Sequence, residues 1–425
     1  MEILLNSFNQ IVAGSEAVWQ VFSHIWFIIL PPLLYFLFKE LWIYHIQVAY
    51  WLSQDWVLLE IVPPKDLEKS PKLMEAFFAG LQGAEKSLSV DEEYMKGVFA
   101  DKFSLELVSN GGEVHFYVRC QKKQRNMVEA HLYAQYPDII MREVPDYVND
   151  VPKVIPNSEW DVWGTDFEFT KPDPYPIRTY PQFEESITGK MIDPLAGLLE
   201  VMGKLAPGQW IWHQMVIEPC SPSWGGKEGK KVIDKLASRE TKREGVFSMI
   251  WKDITDVFSN LFAAMSGPVE FPKKDEKKQD QPLEFRLTPG ERDVLKAVEV
   301  NLSKLFFKTK MRFILVGRKE SFDKTFSGAF IGGIKQFNDD SLNSIKPDNI
   351  TKTSALYWFA KPRLRYKQRK IFRRYRNRSM DGKTMTFSTE ELATLFHLPD
   401  MNVMAPSVTR VEAKRGGAPS NLPIE

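Results

Sequence analysis

The stretch KFSLELVSNGGEVHFYVRC, residues 102–120, carries the clearest structural signal in the chain. Apolar and polar side chains alternate on both sides of Asn110-Gly111-Gly112, as they do in strands that bury one face. Glycine readily adopts the positive φ angles that a tight hairpin turn requires. The stretch therefore predicts two antiparallel strands joined by a short turn.

The segments around this hairpin complete a pattern of four strands and two helices. Residues 56–62 and 138–144 read as strands, and residues 71–84 and 122–136 have helical spacing. The order β-α-β-β-α-β is that of a split βαβ, or ferredoxin-like, domain. The positions of the second helix that we expect to face the core are Met127, Ala130, Tyr133 and Ala134.

A second series of strands and helices follows a boundary rich in proline and asparagine. Strands are predicted at 163–170, 208–219 and 311–317, and a helix capped by Asp193 is predicted to run to Leu205. Thr288-Pro289-Gly290-Glu291 has the sequence of a capping box. The positions that its helix is expected to bury are Val294, Leu295, Val298, Leu302 and Leu305. We interpret this series as a second ferredoxin-like domain.

A long insertion interrupts the second domain at residues 221–286. Its first part has a helical stripe of apolar residues that predicts a surface for docking on a membrane or on a partner helix: Phe247, Ile250, Trp251, Ile254, Phe258, Leu261 and Phe262. Packing of this stripe on its own domain explains the pattern equally simply. Residues 266–284 are charged and flanked by proline, which predicts a disordered loop.

The N-terminal region is apolar enough to predict membrane attachment. Residues 17–38 contain no charged side chain, and a helix of this length spans about 33 Å at about 1.5 Å per residue. The apolar, aromatic residues that follow, 39–55, are expected to form an interfacial helix. Lysines follow the span and none precedes it, which predicts a single pass through the cytoplasmic (inner) membrane with the C-terminal body in the cytoplasm.

The fold class expected is therefore α+β, with a transmembrane helix followed by two ferredoxin-like domains. The predicted ranges are an N-terminal segment 1–16, a transmembrane helix 17–38, an interfacial helix 39–55, domain 1 at 56–147, domain 2 at 160–400 and a C-terminal strand and flexible tail at 401–425.

Composition argues against several classes of function. Lys and Arg (56) nearly balance Asp and Glu (55), so no global charge attracts nucleic acid or anionic lipid. Two cysteines, Cys120 and Cys220, cannot build a disulfide scaffold or a cysteine zinc site. The six histidines show no metal-ligand spacing. We expect neither a metal nor a cofactor.

One stretch superficially resembles a phosphate-binding loop. Gly382-Lys383-Thr384 matches the end of the G-x-x-x-x-G-K-[ST] pattern, but Asn377 stands where the first glycine is required. The residues before it form a basic run rather than a hydrophobic strand. The stretch is therefore interpreted as a turn, and the chain as non-enzymatic with no catalytic residues.

The basic run itself is a candidate binding patch. Residues 361–378 contain ten Lys or Arg, no acidic residue, and three interleaved aromatic residues. This composition suits phosphate neutralisation with base stacking, anionic headgroups, or an acidic protein partner, and also a solvated loop. The candidate residues are Arg363, Arg365, Lys367, Arg369, Lys370, Arg373, Arg374, Arg376 and Arg378.

The stretch FSTEELATLFHLP, residues 387–399, resembles the segment that FtsK/HerA-class ATPases of type IV secretion and conjugation carry just before their motor domain. Residues 401–423 look like the strand and link that follow it there. Residues 114–147 and 287–319 are similar to the membrane-anchored N-terminal region of such proteins in Patescibacteria-type bacteria, which is described as a domain of unknown function. The resemblance contains no Walker motif, since the chain reaches Glu425 where the motor would begin.

These observations favour a non-enzymatic, membrane-anchored accessory subunit. The resemblance implies that its partner is a separately encoded FtsK/HerA-type ATPase, which the chain would tether or assemble. A membrane-tethered nucleic-acid-binding protein of a DNA transfer or uptake system is the alternative. Expected partners are thus the lipid bilayer and this ATPase, with a homo-oligomer possible and nucleic acid possible but less favoured.

Overall fold

The computed structural model describes residues 2–64, 70–183, 192–236 and 287–400. The chain divides into two compact units, the first formed by residues 1–56 and 86–101 and the second by residues 57–85 and 102–425. The described residues form an α+β structure with ten α-helices and one nine-stranded sheet. The α+β class predicted from the sequence is confirmed.

The first unit consists of a long helix and a short one. Helix α1, Glu2–Ser53, contains Pro31 and Pro32 and runs without a break through the predicted membrane span and into the predicted interfacial helix, as far as Ser53. Among the described residues, no helix meets the length and apolarity needed to cross a membrane. Helix α3, Val90–Tyr94, begins with a capping box. The indole Nε1 of Trp42 donates to the carbonyl oxygen of Tyr94 at 2.9 Å, which ties α3 to α1.

The second unit is built on the sheet. Its strands are β1 (Trp56–Val62), β2 (Phe103–Asn110), β3 (Glu113–Gln121), β4 (Ile140–Val144), β5 (Trp160–Phe169), β6 (Gln209–Pro219), β7 (Phe306–Arg318), β8 (Ile345–Pro347) and β9 (Met385–Ser388). Its helices are α2 (Lys72–Leu81), α4 (Arg125–Gln135), α5 (Ala196–Gly203), α6 (Trp224–Leu236), α7 (Pro289–Leu302), α8 (Thr325–Ile334), α9 (Ala360–Arg376) and α10 (Thr389–Leu395).

The hairpin predicted at residues 102–120 is the pair β2 and β3. Asn110 pairs with Glu113, so the turn consists of Gly111 and Gly112. Their φ angles are +56° and +98°, the left-handed conformations that a type I′ turn requires. A Cβ on Gly112 would lie 2.9 Å from the carbonyl oxygen of Gly203, so glycine is needed there for space as well.

The strand order across the sheet is β4-β1-β3-β2-β6-β7-β5-β8, and β9 pairs with β7. The first four strands come from residues 56–144 and the next four from residues 160–347. Numbered within its own group, each group has the order 4-1-3-2. Strands β2 and β6 join the groups through eight paired positions, from Phe103 with Ile217 to Asn110 with Trp210. The two predicted ferredoxin-like domains are therefore not confirmed as separate domains, because their strands form one antiparallel sheet.

The connection between β6 and β7 differs from the prediction. These strands are antiparallel neighbours, and α6, residues 237–286 and α7 lie between them in the chain. Helix α7 begins at the predicted capping box of Thr288 and Glu291 but buries only Val298 among its predicted core positions. The helix between β7 and β8 is α8, which the periodicity of the sequence did not reveal.

Two other helices also differ from the expectations. Helix α4 buries Val128 and Leu132 instead of the predicted face, and Tyr133 is 38% exposed. Helix α5 begins at Ala196, after an N-cap at Leu195, and Asp193 accepts a hydrogen bond from the Leu195 backbone N–H at 2.7 Å. Asp193 therefore shapes the turn before the helix.

Alternate residues of the strands face two hydrophobic cores on opposite sides of the sheet. The first core collects side chains from α2, α4, α5, α8 and α10. The second is smaller and lies beneath α9 and residues 147–155. Cys120 is buried and Cys220 half-buried, both as free thiols, and burial raises the pKa of Cys120 to about 12 and of Cys220 to about 11. Neither thiol is therefore ionised near neutral pH.

Candidate functional site

The basic run at residues 361–378 forms helix α9 and its C-terminal turn. The inner face of the helix places Ile371, Phe372 and Tyr375 in the second core, where they pack beside Trp212. The outer face of α9 is directed away from the sheet. The sheet thus orders the basic groups, and the run is not a loop.

A row of polar residues crosses four strands beneath the C-terminal end of α9. Glu106 on β2 pairs with Gln214 on β6, Gln214 with Arg312 on β7, and Arg312 with Asp166 on β5. All four side chains are fully buried. Because directly opposed residues of neighbouring strands share one face, the row forms a continuous polar strip on the side of α9.

The backbone of α9 ends in a Schellman turn over this strip. The backbone N–H of Arg378 donates to the carbonyl of Tyr375, and that of Ser379 donates to the carbonyl of Arg374, both at 3.0 Å. Arg378 has a φ of +48°, a left-handed conformation that glycine usually supplies at this position. A non-glycine residue here carries backbone strain, which contacts of its side chain can offset.

The Arg378 side chain inserts into the polar strip. Its Nε and one Nη donate to the two carboxylate oxygens of Glu106 at 2.9 and 3.0 Å, and it also donates to Asp146 at 2.6 and 2.9 Å. The hydroxyl of Tyr147 and the amide of Gln214 also donate to Glu106. Burial opposes ionisation of Glu106, but the Arg378 charge and the hydrogen bonds from Arg378, Ser104 and Tyr147 together outweigh it and lower the pKa of Glu106 to about 2.

Asp166 forms the other end of the polar strip and holds several basic side chains. Arg312 and Lys310 contact its carboxylate at 3.0 and 2.8 Å, and Arg374 lies 3.9 Å away. Although burial opposes ionisation, the Arg312 and Lys310 charges lower the pKa of Asp166. Arg312 also donates to the backbone carbonyls of Arg374 and Ser379 at 2.8 and 2.9 Å. These contacts fix the C-terminal end of α9 on the sheet.

The nine candidate basic residues therefore divide into two sets. Arg378 is buried, and Arg374 and Arg376 are half-buried and directed to Asp166 and Asn149. Within the described chain, the ion pairs of the basic run are made by Arg374 and Arg378. The other six candidates, together with Lys361, have no described carboxylate within ion-pair distance: Arg363, Arg365, Lys367, Arg369, Lys370 and Arg373.

Four exposed apolar residues precede the helix. Leu356, Tyr357, Trp358 and Phe359 are 70%, 86%, 81% and 75% exposed. Tyr357 and Phe359 have φ angles of +67° and +57°, which are unfavourable for bulky side chains. The sequence reasoning missed this loop, although the run LYWF directly before a basic segment was a visible signal.

Two grooves flank the outer side of α9. The first, about 750 Å³, is lined by Phe359, Arg363 and Lys367 among others, and by the acidic Asp348. The second, about 550 Å³, is lined by Lys153, Arg369 and Arg373 among others. Tyr366 and Lys370 line both grooves, and Tyr366 is 63% exposed. We call residues 356–373 the basic–aromatic ridge.

The other candidate sites from the sequence analysis lie outside the basic–aromatic ridge or outside the described residues. Gly382 lies in a bend with a φ of +93°, and the Lys383 ammonium pairs with Glu168 at 2.7 Å, so the Gly-Lys-Thr stretch has the structure of a turn. The apolar stripe predicted at residues 247–262 lies outside the described residues. Within the described ranges, no group of three or more His, Cys, Asp or Glu is arranged to hold a metal ion.

The stretch at residues 387–399 is buried in the first core. Strand β9 pairs with the start of β7, and Ser388 and Glu391 form a capping box at the start of α10. Burial raises the pKa of Glu391 to about 7. His397 lies 3.1 Å from Asp193, within the same buried layer. Nearly the whole stretch is closed to solvent, so its residues act in folding.

Comparison with known proteins identifies a family and assigns it no activity. No curated protein matches the chain. A family model described as a domain of unknown function (DUF8128) matches residues 47–411, more than four fifths of the 425 residues. The match covers the whole described sheet and the basic–aromatic ridge. The chain therefore belongs to the family of the domain of unknown function DUF8128.

Proposed function

We propose that this protein is a non-enzymatic, membrane-associated scaffold. The observation that carries the proposal is the surface of α1, which exposes thirteen large apolar side chains between Trp26 and Leu52. Between residues 17 and 54 the sequence has only two charged side chains, Lys39 and Glu40. A helix that is apolar around its whole circumference needs a covering of lipid or protein.

The bilayer is the covering that we propose for α1. Each large apolar side chain that leaves water contributes about 1.5–3 kcal/mol when it becomes fully buried, and these side chains are about half exposed. Trp26, Tyr35, Trp42 and Tyr44 are residue types enriched at the membrane interface. Because lysines follow the apolar region and none precedes it, we place the sheet-containing unit on the cytoplasmic side of the inner membrane.

Vesicle flotation tests the membrane proposal. The full chain should float with phospholipid vesicles, and the triple variant Leu33→Gln, Leu37→Gln and Leu41→Gln should partition about a hundredfold less, from about 1 kcal/mol lost per residue. Three apolar residues exposed on the second unit supply the matched control: Ile140, Ile192 and Val300 changed to Gln. Equal flotation of both triple variants, or a wild-type chain that stays unbound, would contradict the proposal.

The scaffold itself would be the nine-stranded sheet. Each half of the sheet has the strand order 4-1-3-2, which supports reading it as two ferredoxin-like units fused through β2 and β6. The fusion buries the central edge of both units and leaves β4 and β8 as the outer strands of the sheet. A continuous sheet of this kind suits a rigid support better than two independently moving domains.

The proposed protein partner is an ATPase of the FtsK/HerA class. The support is the resemblance of residues 387–399, 114–147 and 287–319 to the membrane-anchored region of such ATPases. Since residues 387–399 are buried here, the contact with the motor would use other surfaces of the second unit.

Copurification tests the partner. The full chain, extracted in mild detergent from its own cells, should carry an ATPase with Walker motifs that mass spectrometry identifies. A membrane protein of unrelated family, extracted in the same detergent, is the control for adventitious capture. Recovery of the scaffold without such an ATPase after chemical cross-linking would count against this part of the proposal.

A further inference from the structure

The basic–aromatic ridge combines charge, shape and stacking surfaces, and it is independent of the membrane proposal. Seven Lys or Arg side chains between residues 361 and 373 have no described carboxylate partner. The helical rise of about 1.5 Å per residue spreads them along about 18 Å. Arg363 and Lys367 donate to backbone carbonyls, which leaves their charge unneutralised. A surface with this density of positive charge outside ion pairs attracts a polyanion.

The shape of the surface narrows the kind of polyanion. The ridge stands between two concave grooves of about 750 and 550 Å³, and basic side chains line both. A flexible chain of phosphates can follow a groove, whereas the planar surface of a bilayer contacts only the outermost side chains of the ridge. The favoured ligand is therefore a phosphate polymer.

The aromatic side chains indicate what the polymer carries. Tyr357, Trp358 and Tyr366 present 86%, 81% and 63% of their surface to solvent. The left-handed backbone at Tyr357 and Phe359 holds the loop in a conformation that exposed bulky residues rarely adopt. Exposed rings beside a basic groove are the stacking platforms of proteins that bind single strands, because every unpaired base has a flat face.

The outer face of the helix has no amide or carboxylate side chain to read the edges of adenine or cytosine. The one amide side chain of the helix, Gln368, is buried and donates to Asp161 at 2.7 Å and to the backbone carbonyl of Val162 at 2.8 Å. Arg and Lys dominate the outer face, which suits contacts with phosphates. We propose that the basic–aromatic ridge binds single-stranded nucleic acid with little sequence preference, with phosphates in the grooves and bases on Tyr357, Trp358 and Tyr366.

Fluorescence anisotropy with a labelled oligothymidylate tests this inference on the full chain in detergent. The triple variant Arg365→Gln, Arg369→Gln and Arg373→Gln should lower the slope of log affinity against log salt by about 2, from about 0.7 per phosphate contact. Trp358→Ala should weaken binding by about 5- to 150-fold, the range for loss of one stacked base. A duplex of the same length should bind more weakly than the single strand.

The matched control removes three exposed charges elsewhere on the second unit: Lys122→Gln, Lys319→Gln and Lys335→Gln. It should leave both the slope and the affinity close to wild type. The altered residues of both triple variants are exposed, so their urea midpoints should match wild type and exclude misfolding as the cause.

Two outcomes would overturn the inference. One is wild-type oligonucleotide binding by the ridge triple variant, and the other is equal loss in the control variant. In the first case, the same variant is tested for loss of its preference for vesicles containing phosphatidylserine over phosphatidylcholine, with oligonucleotide binding unchanged. Such a loss would assign the ridge to anionic lipid, while flotation through α1 would still decide the scaffold proposal separately.

Discussion

Replacing Arg378 by methionine should lower the free energy of unfolding by about 3–5 kcal/mol, the range for removing one partner of a buried ion pair. The substitution would leave Glu106 fully buried without the guanidinium that contacts both of its oxygens at 2.9 and 3.0 Å. Asp146 would lose the same partner. Urea unfolding followed by tryptophan fluorescence measures the change.

A second variant separates the side chain of Arg378 from its backbone. Its φ of +48° is a conformation that costs a non-glycine residue about 1–2 kcal/mol. If the helix end needed only a suitable backbone, Arg378→Gly would therefore stabilise the protein. We expect it to destabilise nearly as much as Arg378→Met, because the ion pairs outweigh the strain. Arg373→Met, an exposed arginine on the same helix, should stay within about 0.5 kcal/mol of wild type.

The stability that ionised Glu106 contributes should decrease as the pH falls. The Glu106 carboxyl has a pKa of about 2 in the folded protein, below its ordinary 4.5. Its contribution to stability is therefore complete above pH 4.5 and disappears as the pH falls toward 2. Without Arg378, burial instead raises the pKa of this carboxyl, so acid favours the folded variant. The gap between wild type and Arg378→Met should narrow on acidification; a gap that widens would show that Glu106 is not the group responsible.

The sequence predicted elements of this fold better than their arrangement. Residues 102–120 predict the hairpin because alternation and the Gly-Gly turn are local signals, and β2 and β3 match it. The pairing of Phe103 with Ile217 joins strands more than a hundred residues apart. Local periodicity contains no information on that contact, so two domains were expected where one sheet forms.

The candidate site was also predictable only where the signal was local. Charge density alone located the basic helix, and the alternation of exposed and buried positions within it depends on the sheet beneath. Arg374 and Arg378 are directed inward because Asp166 and Glu106 lie on strands distant in sequence. Helix α4 has apolar side chains on two faces. We expected Met127 to face the core, and that prediction was wrong because the sheet packs against the face with Val128.

Replacing Phe396 by alanine should also destabilise the protein by about 3–5 kcal/mol, the range for a buried phenylalanine. Phe396 is fully buried, and its ring lies edge-on to Phe116 with a centroid separation of 6.0 Å. Leu392 and Leu398, also buried, belong to the same core. Alanine would leave a cavity that these neighbours fill only in part. Urea unfolding provides the measurement, and Tyr366→Ala, an aromatic truncation at a 63% exposed site, should change stability by less than about 0.5 kcal/mol.

This comparison decides what the stretch at residues 387–399 does in this chain. The proposed relation to FtsK/HerA-class ATPases, in which a similar stretch leads into a motor domain, would make it a docking element. A docking element would tolerate Phe396→Ala in the isolated protein and lose only its partner. A core element would lose stability with no partner present, and the burial of Phe387, Leu395 and Phe396 predicts that result. A Phe396→Ala variant with a wild-type urea midpoint would therefore return this stretch to the candidate partner surfaces, from which its burial now excludes it.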